Sequence, residues 1–432
     1  MNYQQTLSYL FSQLPMYQRV GKMAYKANLD TTIALDEYFN HPHTKYKTIH
    51  VAGTNGKGST SHMLASVLMD AGYKVGLYTS PHIKSFRERI RINSQMVSEQ
   101  FVVEFTAKHQ QIFEKLKPSF FEMTVAMAFE YFAEQKVDIA VIEVGLGGRL
   151  DSTNIIAPEL SIITNIGFDH TNLLGNTLAE IATEKAGVIK QNTPVIIGEN
   201  QPEISSIFKD KAKSLNAPIY FASNEYLIST SEQKEIDKQY FSITKGEAVA
   251  YKNLSIDLLG EYQAKNLPSV LCAIDLLVKK GYTITKHNIT NGLSNTIANT
   301  GLLGRWQIIS KNPLTICDTG HNVDGIAQIA RQIKNTPHSK THMVIGMVGD
   351  KNIEGILKLL PKNATYYFTK ANIPRALNEL ELANKAKSFG LVGNTYQNVE
   401  EALGEAKKNA HPNDLIFIGG STFTVADALI LE

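Results

Sequence analysis

Short apolar runs alternate with longer segments of helical period along most of this chain, and that alternation predicts its elements. From residue 47 to about 200, the stretches 48–52, 75–79, 138–144, 160–165 and 194–198 are brief, apolar and bounded by turns. Strands buried on both faces look like this. Segments 101–116 and 124–134 between them carry the helical spacing. A mostly parallel sheet flanked by helices follows. Residues 1–45 read as helices with polar loops, with Leu7, Leu10, Phe11 and Leu14 expected in the core. Over 218–258 the pattern changes: Tyr220, Phe221, Tyr226, Tyr240 and Tyr251 lie among polar residues in short runs, which predicts a small antiparallel section. Residues 261–280 return to helix. Beyond Asn299-Thr300-Gly301, the runs 315–318, 342–346, 365–368 and 415–419 begin a second alternation, expected to be a Rossmann-like α/β domain. The expected division is 1–299 and 300–432.

Composition narrows the class. A length of 432 residues allows two or three domains. Hydrophobic content of 43% and charged content of 19% suit a globular chain with a sizeable core. A net charge of +2 gives no reason to expect nucleic acid or an anionic membrane as partner. Cys272 and Cys317 lack metal-like spacing and fit a reducing compartment. The N-terminus shows no signal-peptide pattern, and no apolar run approaches the roughly 18 residues that span a bilayer. The expectation is a cytoplasmic, monomeric enzyme acting on small molecules.

The chemistry concentrates in Gly53-Thr54-Asn55-Gly56-Lys57-Gly58-Ser59-Thr60, between a strand and a helix expected over 61–71. Glycines let backbone N–H groups approach an anion, the helix start adds its dipole, and the lysine adds a charge. The chain is therefore expected to bind a nucleoside triphosphate. The loop departs from the strict P-loop pattern, with Val51 in place of the first glycine and Gly58 in place of Ser or Thr. Ser59 or Thr60 is then the hydroxyl expected near a nucleotide-bound magnesium ion.

Other candidates end strands. Glu143 opens the loop Glu143-Val144-Gly145-Leu146-Gly147-Gly148-Arg149-Leu150-Asp151-Ser152-Thr153-Asn154, where open α/β sheets bind ligands, and suits magnesium. A charge beside a tight turn is the alternative. Asn165-Ile166-Gly167-Phe168-Asp169-His170 and Thr79-Ser80-Pro81-His82 end two more strands, so one shared cleft with the phosphate loop is expected. Arg87, Arg89 and Arg91 lie within five residues, either to hold an anion or as a solvated face. Lys185, in a helix expected to end at Gly187, reads from composition as a solvated charge. In the second domain, 317–322 and 346–351 each end a strand on one sheet edge. Arg305 lies at the junction, as a phosphate-stabilising arginine or as a linker charge.

These motifs together closely resemble the folylpolyglutamate synthase/dihydrofolate synthase family, of bacterial bifunctional type, within the Mur ligase superfamily. The matching pieces are GTNGKGS at 53–59, TSPH at 79–82, FRERI at 86–90, EVGLGGRLDSTN at 143–154, Glu184-Lys185-Ala186-Gly187, LGRW at 303–306 and DTGHN at 318–322, in family order. The resemblance implies a ligase that uses ATP and magnesium. A carboxylate of a pteridine substrate is phosphorylated, and the amine of L-glutamate displaces the phosphate. It implies that the loop 53–60 holds ATP, with Lys57 and Ser59 on its phosphates. It implies that Ser80, Glu143 and His170 coordinate magnesium, joined by a carbamoylated Lys185. It implies that Asn266, Arg305, Asp318 and His321 contact ATP. Pro81, His82, Arg87 and Phe121 are expected at the substrate. The segments Ala27-Asn28-Leu29-Asp30 and 120–124 resemble pterin-site segments of members that have both synthase activities. Phe120 and Phe121 otherwise simply start a core helix. Where the family shows Asp-Gly-Ala-His-Asn, this chain has Asp318-Thr319-Gly320-His321-Asn322. Peptidoglycan Mur ligases carry a nucleotide-sugar domain before the P-loop, for which the 52 residues here are too few. A mere nucleotide-binding regulator needs no second cluster of metal-site residues.

Overall fold

A computed structural model describes residues 1–13, 28–230, 235, 237–349 and 351–431. Strands β1 (Lys47–Ala52), β2 (Val75–Tyr78), β3 (Ile90–Ile92), β4 (Gln95–Met96), β5 (Ile139–Glu143), β6 (Leu160–Ile163), β7 (Val195–Ile197) and β8 (Ile219–Phe221) form one sheet. Its order is β4-β3-β2-β5-β1-β6-β7-β8. The strands from β2 to β8 in that order pair in parallel, and β3 and β4 add an antiparallel edge. Side chains alternate between faces along β5. Ile139 and Val141 pack toward helices Lys57–Asp70 and Gln263–Lys279, while Ala140 and Ile142 pack toward helix Phe120–Glu134. The expectation of a sheet covered on both faces holds for this reason.

Helix Lys57–Asp70 is buried on all sides from Gly58 to Leu68. Small residues permit this. Gly292 lies so close that a Cβ there would come within 2.6 Å of Val67 Cα, and Ser66 Oγ donates to the Gly292 carbonyl at 2.6 Å. The helix that carries the phosphate loop is therefore clamped between the sheet and two other helices.

Several expectations are corrected. Tyr220 and Phe221 belong to β8 of the large sheet, because the run 219–221 extends its parallel edge. The antiparallel section is instead β9 (Tyr226–Thr230), β10 (Gln239–Lys245) and β11 (Ala248–Ile256). The segment 101–116 is two helices, Glu99–Lys108 and Gln110–Leu116, broken at His109. The helix expected over 61–71 starts earlier, at Lys57. Leu7, Leu10 and Phe11 do pack into the core from helix Tyr3–Gln13. Leu14, Ala27 and Asp350 lie outside the described residues.

The C-terminal sheet is β12 (Gln307–Lys311), β13 (Leu314–Cys317), β14 (Thr341–Ile345), β15 (Ala364–Phe368), β16 (Gly393–Thr395) and β17 (Leu415–Gly419). Its order is β12-β13-β17-β14-β15-β16, with β12 antiparallel to β13. That edge strand follows the cleft residue Arg305 directly and was not visible in the apolar pattern, since it is only half-buried. The C-terminal ends of β13 and β14 lie on one sheet edge, as expected, because both pair in parallel with β17.

Ser119 starts helix Phe120–Glu134. Its hydroxyl accepts from Glu122 N at 3.2 Å while Glu122 Oε2 accepts from Ser119 N at 2.6 Å, a reciprocal cap. Ser119→Ala is expected to lower stability by about 1 kcal/mol, read as a lower denaturant midpoint of the N-terminal domain.

Candidate active site between the two domains

After β1 the chain turns through Gly53 and Gly56 into helix Lys57–Asp70. Both turns require glycine. Gly53 (φ 143) has Thr164 Oγ1 1.8 Å from where a Cβ would sit, and Gly56 (φ 86) has Asn266 Oδ1 at 2.2 Å. The loop is pinned to the strand beside it. Thr164 Oγ1 donates to the Asn55 carbonyl at 2.6 Å, Asn55 N donates to Asn165 Oδ1 at 2.9 Å, and Gly167 N donates to Thr54 Oγ1 at 3.0 Å. Lys57 folds back, its amine donating to the carbonyls of Gly53 and Thr54, each at 3.1 Å. Burial lowers its pKa, against the pull of Glu143 and Asp169. At Gly58, the departure from the strict pattern, a Cβ would stand at ordinary contact distance, 3.4 Å from Arg305 Nη2 and 3.8 Å from the Glu143 carboxylate, so the position faces the second domain's arginine without requiring glycine. Ser59 is buried and accepts from Gln263 Nε2 at 3.1 Å, and Thr60 is buried beside it.

Glu143 ends β5 and is buried, with Ser80 N donating to its Oε2 at 3.1 Å. Burial raises its pKa, opposed by Lys57, the Ser80 amide and Arg305. A buried carboxylate in that balance calls for a cation. Lys185 is buried and its amine donates to the Gly53 carbonyl at 2.9 Å. Burial, then the charge of Lys57, pushes its pKa down to about 7, offset in part by Asp169 and Asp151. The solvated charge that composition suggested is thus corrected: this lysine sits directly behind the phosphate loop. The 143–154 loop puts it there. Arg149 N donates to the Glu184 carbonyl at 2.8 Å, and a Cβ on Gly148 would come within 2.8 Å of that same oxygen. Asn154 Nδ2 donates to the Gly187 carbonyl at 3.0 Å. His170 lies 3.8 Å from Asp169 Oδ1, and burial drives its pKa down to about 3, leaving a neutral imidazole fit to ligate a metal. Among the described residues no three His, Cys, Asp or Glu side chains form a ready-made metal cage. Magnesium takes few protein oxygens and keeps phosphate and water as its other ligands, which the pair of Ser80 and Glu143 beside the loop fits.

The second domain closes the site. Arg305 lines the cleft and donates to the Gly304 carbonyl at 3.2 Å and to Thr319 Oγ1. Asp318 is fully engaged, accepting from Tyr262 OH at 2.6 Å, Trp306 N at 2.8 Å and Gly320 N at 2.8 Å. It thus sets the turn that presents Arg305 and His321. His321 Nε2 lies 3.2 Å from Asp169 Oδ2, and Lys351 also pairs with Asp169. Asn322 Nδ2 donates to Asn55 Oδ1 at 2.9 Å. Asn266 Nδ2 donates to Gln263 Oε1 at 2.7 Å, leaving its carbonyl oxygen toward Gly56.

An open cleft is lined by Gly58, Ser80, Pro81, Glu143, Arg305 and Thr319, among others. It joins Gly58 of the phosphate loop, Ser80 and Glu143 of the metal candidates, and both domains; of the three strand ends expected to share it, those at 79–82 and 143 line it and that at 165–170 does not. Of the expected substrate residues, Pro81 lines it. His82 accepts from Arg89 Nε at 2.8 Å and stacks near Phe11, and Phe121 packs on Tyr78 and on the backbone at Gly145. Arg87 is turned elsewhere: it donates to the Val97 carbonyl at 2.6 Å and pairs with Glu99, bracing the edge strands. Asp169, Lys351, Tyr262 and Gln263 are site residues that sequence reasoning did not single out. Asp169 and Lys351 stood inside segments already marked as strand ends, and that position was the available signal.

The sequence matches the Mur ligase middle domain over residues 51–274 and the Mur ligase glutamate ligase domain over 304–422. The two domains and the cleft between them are thus those of a Mur-type ligase. Bacillus subtilis dihydrofolate synthase/folylpolyglutamate synthase is 32% identical over 424 residues, covering 94% of this chain and 95% of that protein. The Escherichia coli protein of the same name is 32% identical, covering 88% and 85%. The structure of Escherichia coli FolC in complex with DHPP and ADP superimposes with a TM-score of 0.86 at 28% identity, covering 100% and 97%. Mycobacterium tuberculosis folylpolyglutamate synthase complexed with ADP gives 0.87 at 28%, covering 99% and 98%. The chain belongs to the dihydrofolate synthase/folylpolyglutamate synthase family, as its motifs implied, and is an ATP-dependent ligase.

Gly56→Ala and Lys57→Ala are expected to cut ligase turnover by about 100-fold or more, since each removes or displaces a preorganised phosphate contact. Phosphate release measures this, and calorimetric ADP titration reports the binding loss for Gly56→Ala.

Proposed function

We propose that this chain adds L-glutamate both to dihydropteroate and to reduced folates, using ATP and magnesium, within the family established above. The observation that carries the site assignment is the meeting of Gly58, Glu143 and Arg305 in one interdomain cleft, with the amines of Lys57 and Lys185 both held on the Gly53 carbonyl of the same loop. Relatives solved with ADP, and one solved with manganese, AMPPNP and L-glutamate, support the same ligand set. The acceptor carboxylate attacks the γ-phosphorus of ATP, forming an acyl phosphate and releasing ADP. The glutamate amine then attacks the acyl carbon, loses a proton, and phosphate leaves as the amide forms. Lys57 and Arg305 offset the charge that develops on the transferring phosphoryl group. The loop amides of Gly56, Lys57 and Gly58 cradle the β-phosphate. Ser80, Glu143 and His170 would hold magnesium, which would screen the phosphates from the incoming carboxylate. His321 and Asn322 contact the nucleotide from the second domain, with the domain boundary at 299/300.

Lys185 is the residue we assign to carbamoylation. Its buried, depressed amine is the nucleophile that carbon dioxide needs, forming an N–C bond with loss of one proton. The product would be an anion directly behind the phosphate loop, able to supply an oxygen ligand to magnesium. Phe121, Pro81 and His82 then bound the acceptor side, where an aromatic ring packs on a pterin. Two buried free cysteines fit a reducing, cytoplasmic setting, and a monomer suffices because both domains of the cleft come from one chain. No helix of the described residues is long and apolar enough to cross a membrane.

Lys185→Ala is expected to be inactive and to regain measurable turnover in added acetate, whereas an equal concentration of chloride does nothing. Intact-protein mass spectrometry after trapping should show a carbon dioxide adduct on the native chain alone. In parallel assays with ATP, magnesium and glutamate, turnover is expected with dihydropteroate and with tetrahydrofolate. Turnover with the folate alone removes the first activity and leaves the second. Turnover with neither acceptor refutes the ligase reading.

A further inference from the structure

Besides Arg305 the cleft contains another guanidinium, a buried one, that none of these steps uses. Arg91 projects from β3 into the cleft and is only 7% exposed. Among the described residues its guanidinium has no hydrogen-bond or ion-pair partner. Glu88 acts on it at a distance, yet that carboxylate is already taken by the amides of Ile83, Lys84 and Ser85, at 2.8, 2.8 and 2.7 Å. Space for the guanidinium is made by Gly301, whose left-handed turn (φ 65) places a would-be Cβ only 3.2 Å from Arg91 Nη2. Beside it sits His62, buried, with Nδ1 unpartnered among the described residues. Burial, then the charges of Arg91 and Arg305, drives its pKa down to about 3, so the imidazole is neutral. A buried cation without a partner is costly. Such a group is explained by an anion that arrives with a ligand.

We propose that Arg91 binds the side-chain carboxylate of the incoming glutamate, and so selects glutamate over its γ-amide. The proposal rests on the ligase function above. The glutamate amine has to reach the acyl phosphate at the Lys57–Glu143 end of the cleft. The α-carboxylate adjoins that amine and stays at the same end, where Arg305 acts on both Glu143 and Lys57. The γ-carboxylate is carried away from it by two methylenes, for which Ile83, Leu302 and Leu303 provide an apolar wall. Beside Gly301 in the same cleft Arg91 presents a planar fork that matches a carboxylate, and the neutral His62 offers a further hydrogen bond.

The test varies L-glutamate, L-glutamine and the α-amide of glutamate with saturating ATP, magnesium and tetrahydrofolate. Arg91→Gln is expected to raise KM for glutamate roughly 30-fold, the loss typical of a charge-assisted contact. The KM values for ATP and folate should move less than about twofold, the size of ordinary non-contact effects. The preference for glutamate over glutamine should fall by the same factor as glutamate affinity, while the preference over the α-amide holds. Arg91→Lys should recover part of the loss. Gly301→Asn keeps the left-handed turn accessible and crowds the guanidinium, so it should reproduce the glutamate defect even if Arg91→Gln folds poorly. Collapse of the α-amide preference instead, a rise in KM for folate with glutamate unchanged, or no change in any of the three overturns the proposal. A wild-type chain that adds no glutamate to any pteridine overturns the ligase reading on which it stands.

Discussion

One largely enclosed carboxylate, Asp169, ties the two domains to each other. It lies past the end of β6, yet its partners His321, Lys351 and Asn322 all come from the C-terminal domain. Burial works against its charge, but the hydrogen bond and charge of His321, with Lys351, hold its pKa well below the usual carboxylate range. Removing one member of such a buried group typically costs about 3–5 kcal/mol, because the others are left unpaired. Tyr262 on Asp318 and Gln332 on the Leu259 carbonyl and the Glu261 amide extend the same seam. The seam brings Arg305 over Gly58 and gives the cleft its second wall. Every assignment that depends on both domains depends on this cluster.

The residues that look most chemical in the sequence divide into two physical kinds. Lys57, half-buried within the phosphate loop, and the buried Glu143 and Lys185 are charges gathered at that loop. Gly147, Gly148, Asp151 and Asn154 make a scaffold: Asp151 accepts from Leu146 N at 2.8 Å and Thr153 N at 3.0 Å, and the loop it closes fixes the helix of Lys185. A long motif can thus be conspicuous because it holds one distant amine in place.

The strand–loop–helix unit at 47–70 was legible because apolar runs, glycines and the lysine all point to one structure there. The second alternation after residue 300 was legible for the same reason. The antiparallel edges were not: β3 and β4 are two to three residues long, and β12 is half-buried, so neither periodicity nor hydropathy marks them. Lys185 was opaque to composition because its burial comes from a loop some forty residues earlier. Arg87, Arg89 and Arg91 alternate along one stretch and read alike, yet they separate in space. Arg87 braces Glu99, Arg89 sits over the Phe120 ring, and Arg91 enters the cleft. Only the pleat and turn of the edge strands distinguish them.

The bonds from Lys57 to the carbonyls of Gly53 and Thr54 make the phosphate loop self-satisfied. A nucleotide does not meet a bare ammonium; it competes with two internal acceptors for the same proton donors. Its affinity is therefore a difference between two bonded states. A single weakly held anion such as inorganic phosphate gains little by the exchange, whereas a polyphosphate engages the loop amides and the amine together. The loop thus acts as a threshold filter on valency, which suits an enzyme whose own product is free phosphate.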